Sequence, residues 1–143
     1  MIINLRKDGG MNVAEDIRWK QRFSNFQKAV GQLSEFIAKG DLNKFELQGL
    51  IQCFEYTFEL ARKTMKDYLE QEGFDIKSPR TAIQTAFQVQ LVKDGHVWLE
   101  ALEKRNLMAH TYDETFAIEA EKLIRTKYYQ MLKDFYFALE DMQ

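Results

Sequence analysis

The sequence predicts an all-α fold, an up-and-down bundle of four main helices with one additional short helix. Three observations point there. A single proline and seven glycines in 143 residues leave long stretches free for helix. Along those stretches apolar residues recur at alternating steps of three and four. No strand-like alternation of useful length is present, and no internal repeat.

Met1–Gly10 shows no periodicity and ends in two glycines, so residues 1–12 read as a flexible tail ahead of a single domain over 13–143. From Val13 to Lys39, Trp19, Phe23, Phe26, Val30, Leu33 and Ile37 form one amphipathic stripe, and Gly40 ends the helix. Its opposite face carries Arg18, Lys20, Arg22 and Lys28, read as a solvated surface. Asn43 with Glu46 opens a second helix as a capping-box variant. Its stripe runs through Leu47, Leu50, Ile51, Phe54, Phe58, Ala61, Met65 and Leu69 to a stop at Gly73. Glu55, Glu59 and Lys63 follow at i, i+4 and read as a surface charge ladder.

Phe74–Lys77 is a short linker. Ser78-Pro79 supplies an N-cap and a first-turn proline for a short helix to about Val92, presenting Ala82, Ile83, Ala86 and Phe87. Asp94-Gly95 turns into a helix carrying Trp98, Leu102 and Arg105, expected to run from Val97 to about Ala109, with His96 at the turn as a capping or surface residue. The last helix is expected over Tyr112–Asp141, opened by Thr111 with Glu114 three positions on. Its core side is Phe116, Ala120, Leu123, Ile124, Met131, Leu132, Phe135 and Leu139, widened by Tyr128, Tyr129, Tyr136 and Phe137.

The composition excludes several classes. A net charge of −2 argues against broad, sequence-blind coating of nucleic acid, though not against a local RNA site. Cys53 is the single cysteine, which rules out an intrachain disulfide and a thiolate metal cluster. There is no apolar run of membrane-spanning length, no signal-peptide h-region and no glycine-rich phosphate loop. The expectation is a cytoplasmic protein without membrane partner, metal or cofactor.

Chemistry concentrates in Arg105-Asn-Leu-Met-Ala-His110-Thr-Tyr112-Asp-Glu114. Here a permanent cation, an amide, an imidazole and a phenol fall at a predicted helix junction. At about 100° per residue Arg105 and Tyr112 share a stripe, while His110 lies about 140° from Arg105. One straight helix cannot aim both at one small group, so either the chain breaks between them or a second protomer completes the site. From spacing alone a structural reading also stands: a helix-terminal Arg, a backbone-bonded His and a Tyr covering a core edge.

Arg-x4-His-x-Tyr, with Asn106 directly after Arg105, resembles the signature of HEPN-domain proteins. Within them it is most similar to the branch of nucleotidyltransferase substrate-binding proteins, or HepT-type toxins. Phe54-Glu-Tyr-Thr-Phe-Glu-Leu-Ala61, Lys66-Asp-Tyr-Leu-Glu70, Ser78-Pro-Arg80, Ala86-Phe87 and Asp94-Gly95-x-x-Trp98-Leu-Glu100 look like family landmarks in family order, from about Asp16 to the C-terminus. Three positions depart. Arg62 stands where relatives often carry Trp, Gln90 where Gly is usual, and Met108-Ala109 where small polar residues are frequent.

The resemblance implies a metal-independent endoribonuclease with a composite site at a homodimer interface. Attack of a ribose 2′-hydroxyl on its own phosphate needs a base, an acid and a group to hold the dianionic phosphorane. Histidine suits the proton transfers and arginine the phosphorane. One chain has one motif histidine, so a two-fold dimer would supply two His110 and two Arg105, with Asn106 orienting the phosphate or the ring. In the resembling toxin–antitoxin pairs a minimal nucleotidyltransferase encoded by a neighbouring gene adenylylates the motif tyrosine, here Tyr112, and silences the nuclease. The alternative of another class is a non-catalytic subunit that presents substrate to a separate nucleotidyltransferase chain. A third is a purely structural dimerising bundle.

Overall fold

The structure is a computed structural model that describes residues 13–142. The expected tail, 1–12, lies outside the described residues, as do Gln143 and the side chains of 13–16 and Asn106. All described regular structure is helical: α1 Val13–Lys39, α2 Lys44–Gln71, α3 Pro79–Gln88, α4 Gly95–Glu103, α5 Arg105–Ala109, α6 Glu114–Leu123, a π-helical turn Ile124–Tyr128, and α7 Tyr129–Glu140.

Local chemistry sets the first three elements. Asn43 Oδ1 accepts from the Phe45 and Glu46 amides while Glu46 reaches back to the Asn43 amide, completing the capping box. Gly40 and Gly73 take φ of 84° and 97°, left-handed stops that glycine adopts without a Cβ clash. Ser78 Oγ accepts from the Thr81 amide and Pro79 occupies the first turn of α3.

The four-residue connection makes α1 and α2 an antiparallel hairpin. The Trp19 and Tyr68 rings meet at 5.6 Å at one end, and a Cβ on Gly49 would lie 3.1 Å from the Phe36 ring at the other. The last helical column, α6 through α7, runs antiparallel to α1. Phe23 stacks on Tyr136 at 5.5 Å, and Ser34 shares a 2.7 Å hydrogen bond with Tyr129. The column formed by α4 and α5 fills the fourth position. Trp98, fully buried, sits between Phe58 at 5.7 Å and Phe135 at 5.3 Å, and the α2, α4 and α7 faces meet on it. The expected bundle is thus present, with α3 as the short connector between its second and third columns.

Several boundaries differ from expectation, each for a packing reason. Helix α3 ends at Gln88 rather than near Val92, because the Leu91 and Val92 amides both turn back to the Ala86 carbonyl and bury their side chains. That reversal puts Gln90 at φ 63°. The expected helix through Ala109 breaks at Lys104, which frees Met108 to turn into the core. Phe116 is 40% exposed, and Ala117 takes the core position expected of it. Glu59 pairs with Arg62 at 2.5 Å instead of continuing a ladder to Lys63. Arg22 of the basic α1 face is tied to Asp67 at 3.2 Å. Cys53 is half-buried, with Sγ 4.0 Å from the Ala29 carbonyl and from Thr57.

The π-helical turn re-registers the last column. It carries Tyr128, fully buried, against Phe54 at 5.5 Å, and the phenol donates to Glu100 at 2.8 Å. Burial first, then the Glu100 carboxylate, push the Tyr128 phenol above its ordinary value, while that hydrogen bond holds Glu100 below its own.

Two stability outcomes follow from these positions. Replacing Gln90→Gly relieves a left-handed backbone and should raise the urea midpoint by the equivalent of about 1 kcal/mol with unchanged slope. A lowered midpoint would refute the strain. Tyr128→Phe should cost about 1–2 kcal/mol near neutrality. An unfolded tyrosine ionises near pH ~10 whereas the folded one resists, so the parent loses this stability as pH rises above that value and the gap to the variant narrows. A gap that widens in alkali would contradict the linkage.

Candidate active site at the α5–α6 turn

The candidate site is built around one inward residue. Thr111 is only 6% exposed. Its hydroxyl donates to the Met108 carbonyl at 3.1 Å, and its own carbonyl accepts from Gln48 Nε2 of α2 at 2.6 Å. With Thr111 held inward, the residues on either side project outward. Tyr112 is 83% exposed, and His110 is exposed as well. Their rings meet edge to face at 5.9 Å, and Phe116 approaches His110 at 6.5 Å from the first turn of α6.

The sequence assigned Thr111 the N-cap of the last helix. The structure gives that cap to Asp113, whose Oδ1 accepts from the Thr115 amide at 2.9 Å. Thr111 has spent its hydroxyl on α5 and its carbonyl on α2, so it is committed to the core before the helix starts. The Asp113 amide closes the turn onto the His110 carbonyl at 3.1 Å.

Arg105 opens α5 with an exposed side chain, its Nε donating to the Leu102 carbonyl at 3.3 Å. Helix α5 ends at Ala109 and His110 leaves it with φ −113° and ψ 22°. The chain therefore bends at the histidine. Even so, among the described residues no hydrogen bond or ring contact joins Arg105 to His110. His110 and Tyr112 are brought together, while Arg105 turns its Nε back to the preceding helix. The side chain of Asn106 lies outside what is described. His96 is exposed at the far turn. Among the described residues no group of three or more His, Cys, Asp or Glu side chains is placed to hold a metal ion, and no helix is long and apolar enough to cross a membrane.

Two supporting residues escaped the sequence reading. Gln48 lies outside the apolar stripe of α2, and its partner is 63 positions away, so no local signal marks it. Arg125 donates to the Ile37 carbonyl at 3.2 Å, to the Gly40 carbonyl, and to Glu121 at 3.0 Å. It thereby closes the C-terminal end of α1. A cation facing a helix end rich in unpaired carbonyls was the available signal.

With this arrangement in view, comparison with known proteins is decisive. The family described as nucleotidyltransferase substrate binding protein like matches residues 21–141. The chain belongs to that family. The resemblance carried by its ordered landmarks, to HEPN and HepT-type proteins, is borne out. It is 28% identical over 111 residues to a probable ribonuclease HepT of Haemophilus influenzae, spanning 67% of this chain and 72% of that one. A crystal structure of a protein from Thermus thermophilus superposes with a TM-score of 0.71 at 30% identity, covering 82% of this chain and 98% of that one.

If Gln48 is the tether of this family member's turn, Gln48→Ala should remove about 0.5–1.5 kcal/mol locally. Amide hydrogen exchange at Asp113 should then accelerate roughly two- to tenfold, while amides of the Trp98 core hold their rates. Unchanged exchange at Asp113 would show that the turn is fixed by other means.

Proposed function

We propose that this family member is a metal-independent endoribonuclease acting in the cytoplasm as a homodimer, with two motif turns facing a shared cleft. The observation that carries the reading is the outward pairing of His110 and Tyr112 around the buried Thr111. A side chain that served only the core would not be left at 83% exposure. The name of the Haemophilus influenzae relative, a probable ribonuclease, points the same way.

In this reading His110 moves the proton between the 2′-hydroxyl and the 5′ leaving oxygen, one imidazole of the dimer as base and its two-fold mate as acid. Arg105 holds the phosphorane with a planar fork that keeps its charge. Asn106 orients the phosphate or the ring. In the two-fold arrangement the cation of one protomer meets the imidazole of its mate over the shared phosphate.

Tyr112 is the control point. Its exposure leaves the phenol open to a partner nucleotidyltransferase, the class of enzyme that appears in the family's description. Transfer of AMP would form a phosphodiester on the phenol oxygen with release of pyrophosphate from ATP. That adds negative charge and bulk two residues from His110, where an RNA phosphate must sit.

With a defined RNA, His110→Ala should lower cleavage by roughly 10²–10⁴-fold, products should end in a 2′,3′-cyclic phosphate, and EDTA should leave the parent active. Full activity in the variant, loss in EDTA, or equal cutting of a deoxy substrate would contradict the mechanism. Tyr112→Phe should retain most activity yet escape silencing by the nucleotidyltransferase and ATP. Silencing of that variant as complete as the parent's, or AMP mapped only to another residue, would remove Tyr112 from its role.

A further inference from the structure

A second concentration of charge lies away from the motif, in a cleft of about 230 Å3 between α2 and the start of α3. The chain as a whole is acidic, with a net charge of −2. This cleft gathers Arg62, Lys63, Lys66 and Lys77 against one lining carboxylate, Glu59. Lys63 and Lys66 make no ion pair among the described residues, while Lys77 reaches the neighbouring Asp75 at 3.1 Å with both side chains largely in solvent. An exposed pair of that kind is screened and leaves the lysine free to exchange partners.

Arg62 is different. Its side chain is only 13% exposed, held by one 2.5 Å contact from Nη2 to Glu59. Its Nε is buried and has no hydrogen-bond acceptor. A guanidinium has five N–H donors, and one carboxylate at one nitrogen leaves the fork under-used. That Nε is sealed from the cleft, but among the described contacts Nη1 is neither bonded nor buried and is open to an incoming anion. Three flexible ammonium groups around one fixed, half-satisfied guanidinium form an anion receptor. The positive end of α3, capped at Ser78 on the same wall, adds to it.

We propose that this cleft binds a phosphate group, carried by an RNA backbone or by a mononucleotide. The cleft is too small for a whole drug-sized ligand, which needs ~300–1,000 Å3. It suits a compact anionic group with several acceptor oxygens. Arg62 lies fourteen residues beyond Gln48 on α2, about 21 Å along the helix axis from the tether of the motif. No residue of the 105–114 motif lines the cleft, so it is a separate site and not an extension of the motif surface. The proposal stands whether or not the motif cuts RNA.

The test is a titration of isotope-labelled protein with inorganic phosphate, ionic strength held constant with chloride, following the Arg62 Nε–H and the Thr81 amide by NMR. Both resonances should move saturably with phosphate and stay fixed in chloride alone. Lys66→Gln should weaken binding by about two- to fivefold, as expected for one exposed charge, and Arg62→Gln combined with Lys66→Gln should abolish it. Lys28→Gln, on α1, should leave it unchanged, and circular dichroism should show all variants folded. Shifts linear to the highest phosphate, or undiminished binding in the double variant, would overturn the proposal. AMP and a twelve-nucleotide RNA then separate the sources. Tighter binding of AMP than of phosphate assigns a mononucleotide. An RNA that moves Arg62 while AMP does no better than phosphate assigns the backbone. Failure of both to move Arg62 would overturn the proposal as firmly as a flat phosphate titration.

Discussion

The site depends on a single inward residue. Thr111 is anchored twice, by its hydroxyl to the α5 carbonyl of Met108 and by its carbonyl to Gln48 of α2. Those two bonds hold a tight turn between α5 and α6 with its middle side chain in the core. The neighbours at 110 and 112 have no room inside and face solvent. An imidazole and a phenol are thus presented side by side on a fixed backbone, at little entropic cost to either ring. Without the anchor the same residues would sit on a loose connection, and their mutual geometry would be one of many.

The anchor works because the bundle behind it is rigid. Met108, one turn before Thr111, is buried in the same core that carries Trp98, Phe58, Phe135 and Phe54. The π-helical turn contributes by bringing Tyr128 into that core and aiming its hydroxyl at Glu100 of α4. Glu100 also receives Lys127 at 3.2 Å, and Lys104 reaches Glu119 at 3.5 Å. The α4–α5 column is therefore fastened to the last column just before the Lys104 break and at the break itself. The break sets Arg105 at the start of its own short helix.

What could be read from the sequence was local. The capping box at Asn43 and Glu46, the Ser78-Pro79 start and the glycine stops each involve residues within a few positions of one another, so their chemistry is written in the chain. The stripes of α1 and α2 read equally well, because a 3.6-residue period needs no partner to be seen. The end of α3, the Lys104 break, the π-helical turn and the cap at Asp113 were not legible. In each, a long-range demand overrides a local preference. Thr111 and Glu114 have the spacing of a capping box, yet Gln48, 63 residues earlier, takes Thr111 for the core. The residue Gln90 itself disguises the left-handed turn, which shows only in the glycine usual at that position of the resembling family and in the burial of Leu91 and Val92. For the site, the residue types and their angular mismatch were legible, whereas the outward projection of His110 and Tyr112 came from packing.

Exposed aromatic surface marks the two ends of the molecule differently. Tyr112 and Phe116 lie at the motif end, while Phe137 and Met142 lie at the opposite end of the last column. A composite two-fold site requires that the motif end be the one that closes in the dimer. Hydroxyl-radical footprinting across a dilution series, with mass determined by sedimentation velocity on the same samples, reads this directly. A dimer at micromolar concentration with Phe116 protected, and with Phe137 and Met142 reacting as in the monomer, is the predicted result. A monomer at that concentration, or a dimer that shields Phe137 and leaves Phe116 fully reactive, would contradict the composite site.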